Sequence, residues 1–311
     1  MNPLAPASFG GALQAASDAA GAQHYPQGTL YVVATPIGNL ADITLRALHV
    51  LHIADAVACE DTRHTQGLLR AYGIDRPSAG LLAVHQHNEA ESAQSVIARL
   101  AHGERIAYVS DAGTPGVSDP GARLVAAVRD AGHRVMPLPG ASSVTTLVGA
   151  AGLVSDGDAG SAFVFAGFLP NKAGERDAAV LALASEPRSV VLLEAPHRIE
   201  ALARALASLG ERRVTVGREL TKQFEEIATL SAAGLPEWFA ASRDRTRGEF
   251  ALVLHPRAAT ADHGAEGERV LRLLLAELPL KSAVRLAAEI SSAPRNALYE
   301  AGLRIRDEPN D

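Results

Sequence analysis

Three short stretches of this 311-residue chain carry the residue types that do chemistry. "VSDAGTPGVSDPG" (109–121) places three glycines and two prolines behind an apolar run that reads as a strand. Glycine-rich loops after strands usually cradle phosphate, yet Asp111 and Asp119 would repel one. The loop therefore suits a small cationic or hydroxylated ligand, approached closely by backbone at Gly113 and Gly116. Asp119, just ahead of the next helix, reads as that helix's N-cap, which leaves Asp111 as the ligand-facing carboxylate. "CEDTRHT" (59–65) sets Glu60, Asp61, Arg63 and His64 just past another strand. Asp61 reads either as a helix cap or as a proton acceptor. Arg63 and His64 in a first helical turn oppose the helix dipole, which is tolerable where they meet a phosphate. "HNE" (87–89) brings His87 and Glu89 to a third strand end as further candidate bases, with Asn88 a possible cap.

Other chemistries are excluded or disfavoured. No GxGxxG follows the first strand, and no GxxxxGK[ST], HExxH or GxSxG occurs. The lone cysteine, Cys59, precedes Glu60 and Asp61, whose charges would raise its pKa, so it reads as core and not as a nucleophile. It also rules out an internal disulfide and suits a reducing cytoplasm. His85 and His87 lack a carboxylate–histidine pattern, so no metal is expected. Residues 135–155 are uncharged but broken by prolines, glycines and hydroxyls, so no membrane span is expected. The formal net charge is −6, which argues against indiscriminate nucleic-acid binding. Residues 269–306 are nevertheless +4 on a body of −10. That tail, with Lys281, Arg285 and Arg295, and the run "RDRTRG" with Arg243, Arg245 and Arg247, are the candidate RNA contacts.

These loops need elements to hold them. From Thr29, β-rich runs alternate with helical periods, which predicts an α/β fold with a parallel sheet covered on both faces. Ligands then bind beyond the carboxyl ends of the strands, where the three stretches lie. Residues 1–27, rich in Ala and Gly without Lys or Arg, read as a flexible extension. The N-terminal α/β domain spans 28–154. "SDGDAGS" (155–161) reads as a hinge, and a second α/β domain spans 161–258. A C-terminal helical module at 268–305, split by "SSAP", is helix-turn-helix-like, with serine caps expected at the split.

S-adenosyl-L-methionine, with its sulfonium, ammonium and ribose diol, fits the aspartate loop, and "PLPGASSV" and "GFLP" offer walls for adenine. "LYVVATPIGNLADITLRAL", "CEDTRHT", "VSDAGTPGVSDPG", "PLPGASS", "FAGFLP", "EAPHRI", "GRELTKQFEE" and "GEFALVL" together resemble the bacterial 16S rRNA cytidine 2′-O-methyltransferases of the tetrapyrrole methylase superfamily. The likeness runs from Thr29 to Gly302 and includes the helical tail. It implies two α/β domains, the second with a mixed sheet, S-adenosyl-L-methionine in the cleft between them, and a homodimer. By that resemblance the donor pocket uses Pro36, Asp111, Gly113, Ser142, Ser143, Leu169, Pro196 and Gly248. Lys222, with Glu219, would close the site and meet the RNA. The implied partner is 16S rRNA of the small ribosomal subunit, not DNA. Readings left open are a methylase of a tetrapyrrole-like small molecule and a non-catalytic RNA-binding assembly factor on the same fold.

Overall fold

The computed structural model describes residues 9–84, 89–119, 121–154, 162–257 and 263–307. Five parallel strands form the first sheet: β1 (Thr29–Val33), β2 (Ala56–Cys59), β3 (Leu81–Ala83), β4 (Ile106–Val109) and β5 (Arg134–Leu138), in the order β3-β2-β4-β1-β5. Strands β2 and β4 are buried throughout, as apolar runs without alternation require of a sheet covered twice. Helices α1 (Ala12–Ala20), α2 (Leu45–Ile53) and α3 (Thr62–Ala71) cover one face, packing on Tyr31, Val57 and Ala107. Helices α4 (Glu89–Ala101) and α5 (Ala122–Asp130) cover the other, on Leu30, Ile106 and Tyr108.

Helix α1 corrects the expectation of a flexible extension over the described part of 1–27. An alanine-rich segment has high helix propensity, and small side chains let it lie close on a neighbour. Ala16 and Ala20 are buried, and Tyr25 beyond them hydrogen-bonds back to the Ala20 carbonyl at 3.2 Å. Residues 1–8 and the expected hinge at 155–161 lie outside the described residues.

The chain reverses direction across the first sheet between β1 and β4, because β1 leads to β2 on one side and β4 to β5 on the other. The two loops leave this switch point across opposite faces, and open α/β sheets bind ligands beyond the carboxyl ends of their strands. Here the loops are knitted by a bridge: Thr35 N donates to the Gly113 carbonyl at 2.9 Å, and Gly113 N to the Thr35 carbonyl at 3.0 Å.

After α6 (Ser143–Ala150) come β6 (Phe163–Gly167), α7 (Ala173–Ala184), β7 (Ser189–Glu194), α8 (Ile199–Leu206), β8 (Arg213–Arg218), β9 (Glu226–Ser231), α9 (Leu235–Ala240) and β10 (Phe250–Leu254). The second sheet runs β6-β7-β10-β8-β9, with only β6 and β7 parallel, so it is mixed as expected. Helices α7, α8 and α9 pack on Val190, Leu192, Val214 and Leu252. The opposite face, Val191, Ala251 and Val253, receives Val144 and Leu147 of α6, so α6 joins the two sheets. Gly217 permits that contact, since a Cβ there would lie 2.7 Å from Leu147 Cδ1.

Helices α10 (His263–Leu275), α11 (Leu280–Ser291) and α12 (Arg295–Asp307) close a separate small core around Leu271, Val284, Ala287 and Leu298. Gly302 lets α12 approach α11, because a Cβ would sit 2.5 Å from Leu280 Cδ1. The expected serine caps instead finish α11: Ser291 Oγ bonds the Ala287 carbonyl at 2.6 Å, and Ser292 is left-handed at φ 59°.

Candidate active site

Both switch-point loops open onto a cavity of about 420 Å³ between the two sheets, within the usual range of small-molecule sites. One wall is polar: Gly113, Thr114, Ser118 and Asp119 from the loop after β4, with Ser142 and Ser143. The facing wall is largely apolar: Ile37, Phe168, Leu193, Pro196, Leu220, Phe250 and Ala251. Asp119, Glu194 and Glu249 are its acidic lining residues, and no Lys, Arg or His is among those lining it. Such a cavity attracts a cation and repels phosphate.

Local chemistry shapes the polar wall. Gly113 and Gly116 both sit at φ 81°, where an L side chain is strained. Thr114 Oγ1 donates to the Ala141 carbonyl at 3.0 Å, tying this loop to "PGASS". Gly140 lets that second loop press onto Ala34, whose Cβ lies 2.8 Å from where a glycine Cβ would be.

Of the residues proposed for the donor, Gly113, Ser142, Ser143 and Pro196 line the cavity. Pro36, Asp111, Leu169 and Gly248 are not among the lining residues; each stands one residue from one that is. Leu169 belongs to the core under α7 and α8, while its neighbour Phe168, half exposed, faces the cavity. Asp111 joins two loops, its Oδ1 accepting from Asp61 N at 3.2 Å. Asp119 is no cap: the N-cap of α5 is Gly121, at φ 121°, without a side-chain hydrogen bond. Sequence reasoning missed Asp119 because Asp-Pro-Gly ahead of an apolar helix imitates a capping signal.

Asp61 takes the capping alternative. Its carboxylate accepts from Arg63 N at 2.8 Å and His64 N at 3.2 Å, and the His64 and Arg63 amides hold its pKa below the ordinary aspartate value. A carboxylate so stabilised is a weak proton acceptor. Glu60 is half-buried and lies outside the lining. His87 and the Glu89 side chain lie outside the described residues. Cys59 behaves as expected of core: it is buried, and burial pushes its thiol up to about 11.

Lys222 reaches the cavity rim from the second sheet. Its ammonium bonds Glu219 at 2.9 Å and Glu249 at 3.0 Å, while its stem covers Gly38, where a Cβ would meet Lys222 Cγ at 2.4 Å. Burial opposes the charges of Lys222 and Glu219, but their contact outweighs it, so lysine rises and glutamate falls from their ordinary values. The turn is strained, with Glu219 at φ 50° and Thr221 at φ 67°. Gly248 makes room for it, since a Cβ there would strike the Glu219 carboxylate at 2.4 Å.

The basic candidates divide. Arg63, His64, Arg243 and Lys281 are exposed, with no side-chain hydrogen bond or ion pair among the described residues. Arg247, Arg285 and Arg295 make exposed ion pairs with Asp244 (3.4 Å), Glu289 (3.2 Å) and Glu289 (3.4 Å), which solvent keeps weak. Arg245 is a correction, because it is structural: it pairs with Glu226 at 2.9 Å and stacks on Trp238 at 4.2 Å.

A parallel sheet and a mixed sheet enclosing a cavity is the architecture of the tetrapyrrole methylases, and the family match places the chain among them. Residues 29–236 match the family Tetrapyrrole (Corrin/Porphyrin) Methylases, and residues 261–306 match the RsmI C-terminal HTH domain. The fold is shared with a cobalamin biosynthetic enzyme, cobalt precorrin-4 methyltransferase, at TM-score 0.53 and 18% identity over 74% of this chain and 98% of that one. Diphthine synthase gives TM-score 0.53 and 16% identity over 73% and 90%. The Ribosomal RNA small subunit methyltransferase I of Escherichia coli O157:H7 is 47% identical over 280 residues, 89% of this chain and 95% of the relative. Its Pseudomonas aeruginosa counterpart is 47% identical over 285 residues, 89% and 97%. The chain belongs to the ribosomal RNA small subunit methyltransferase I family.

Proposed function

We propose that the chain transfers a methyl group from S-adenosyl-L-methionine to the ribose 2′-oxygen of a cytidine in 16S rRNA of the small ribosomal subunit, acting as a cytoplasmic homodimer. One observation carries the reading: the cavity offers acidic and hydroxyl groups without a basic residue, on a chain ending in its own helical module. A sulfonium and an ammonium are at home there, whereas a nucleoside polyphosphate is not. When bound, S-adenosyl-L-methionine supplies a methyl group already activated for attack by a nucleophile.

The chain's own contribution is alignment. Backbone at Gly113, the Ser142 and Ser143 hydroxyls and the apolar wall from Leu193 to Pro196 hold the donor. Lys222 closes the rim. Positioning of this kind is worth at most ~7–11 kcal/mol. Arg63, His64 and Arg243 contact RNA phosphates, with Lys281, Arg285 and Arg295 from the C-terminal module. Among the described residues no helix is long and apolar enough to cross a membrane, and no group of three or more His, Cys, Asp or Glu could hold a metal ion.

The test compares 2′-O-methylation of 16S rRNA between a parent strain and one lacking this gene. Loss of one cytidine mark is expected. An unchanged methylation map would defeat the reading. A narrower expectation concerns salt. Lys281, Arg285 and Arg295 changed together to Gln should flatten the slope of log affinity against log salt by roughly 0.7–0.9 for each phosphate no longer neutralised. RNA-binding isotherms at several salt concentrations measure it, and an unchanged slope would show that the module does not touch RNA.

A further inference from the structure

Asp119 is a carboxyl group on the polar wall with no ion pair among the described residues. It is half-buried, lines the cavity and caps no helix; its side chain meets the Ser110 hydroxyl. The other cavity carboxyl groups each stand against a cation, although Glu194 Oε2 has no hydrogen-bond partner among the described residues. Glu194 has a fully buried side chain paired with Arg198 at 3.0 Å, and Glu249, mostly exposed, is held by Lys222 at 3.0 Å. Asp61, spent on capping, lies outside the lining.

We propose that Asp119 takes the proton of the reacting hydroxyl, an inference that rests on the 2′-O-methyltransferase reading above. The step balances. The ribose oxygen forms a bond to the methyl carbon as the carbon–sulfur bond breaks with its electron pair going to sulfur. The hydroxyl proton passes to the Asp119 carboxylate and from there to water. Sulfonium becomes neutral thioether, so the donor's positive charge leaves the site as that proton.

The surroundings suit the task. Burial holds the Asp119 carboxyl above the ordinary aspartate range; the Ser110 hydrogen bond opposes this and the Asp111 charge adds to it. Across the cavity stand Glu194 and Glu249, and no cation is among the lining residues to stabilise the carboxylate. A carboxylate raised toward working pH is a better acceptor than one pinned low by a capping bond, as at Asp61.

The experiment uses the full chain, labelled S-adenosyl-L-methionine and small ribosomal subunits lacking the methyl mark. Asp119→Asn should lower kcat by ~10²–10⁴-fold. The donor Kd by calorimetry should change by far less than kcat does, and measurable binding also reports that the variant is folded. The acid limb of the kcat–pH profile should vanish in Asp119→Asn and persist, displaced, in a partly active Asp119→Glu. An Asp119→Asn enzyme with wild-type kcat would overturn the proposal. So would a raised donor Kd with kcat intact, which would make Asp119 a donor-holding group, and so would an unchanged acid limb. A wild-type chain that transfers no methyl group to subunits would defeat the underlying reading instead, so the two failures are distinguishable.

Discussion

Gly121→Val should be the most damaging single substitution in the loop that walls the cavity. At φ 121° any L residue is strained, and a Cβ there would lie 2.3 Å from the Tyr108 ring. Tyr108 is fully buried beneath α5, so it has nowhere to withdraw. Backbone strain of ~1–3 kcal/mol and overpacking of ~1–3 kcal/mol act together. At about 2–4 °C per kcal/mol for a domain of this size, the melting temperature should fall by roughly 5–20 °C. Loss of the loop's shape should weaken donor binding in parallel. Gly149→Ala is the matched control: it lies inside α6 with open space around its Cβ position, and should stabilise by about 0.5–1 kcal/mol. Thermal melts of both variants measure the contrast. A Gly121→Val melt within about 2 °C of wild type, the shift of less than 1 kcal/mol, would contradict the packing described for this loop.

Arg198→Ala should be nearly as costly, through a different mechanism. Arg198 pairs with buried Glu194 at 3.0 Å and also donates to the Leu169 carbonyl, so it fastens the "GFLP" turn to the end of β7, two stretches that wall the cavity. Removing it strands a carboxyl group with a fully buried side chain, a loss of ~3–5 kcal/mol. The sign of its pH dependence follows from Glu194. Burial raises that carboxyl above its ordinary value even with Ala195 N and Arg198 opposing, and loss of Arg198 raises it further. The folded variant then binds a proton that the unfolded chain has released, so its stability falls as pH rises from the unfolded Glu value through the raised native one. Denaturant titrations across that window should show the variant recovering toward acid pH. Glu194→Met with Arg198→Leu should recover part of the loss at neutral pH, because an apolar pair leaves no charge stranded. A double variant worse than the sum of its singles would contradict the assignment.

Much of the frame was legible because uninterrupted apolar runs such as 106–109 and 56–59 are what doubly covered parallel strands need. Their order then placed the loops after β1 and β4 at one crevice. The misread residues are those whose role depends on a partner distant in sequence. Asp119 looked like a cap because the buried Tyr108 ring that goes with glycine at 121 is not visible from the loop itself. Arg245 looked like surface charge because nothing in "RDRTRG" announces Trp238 and Glu226 beneath it. Ala16 and Ala20 looked like slack because small residues carry no apolar signal, yet smallness is what seats α1 on α2. Asp61 read equally as a cap or as a proton acceptor, because both need a carboxylate at a strand end; the structure shows its two amide partners.

In the proposed function, the acid-lined cavity between the sheets delivers a methyl group to a ribose 2′-oxygen of 16S rRNA. Its most direct measurement is transfer of labelled methyl from S-adenosyl-L-methionine by the purified chain to small ribosomal subunits from a strain lacking this gene, with the labelled nucleotide identified. The expected result is about one methyl group per particle, on the 2′-oxygen of a cytidine. Label on a base, label on a porphyrinoid offered in competition, or donor binding with no transfer to RNA would contradict it.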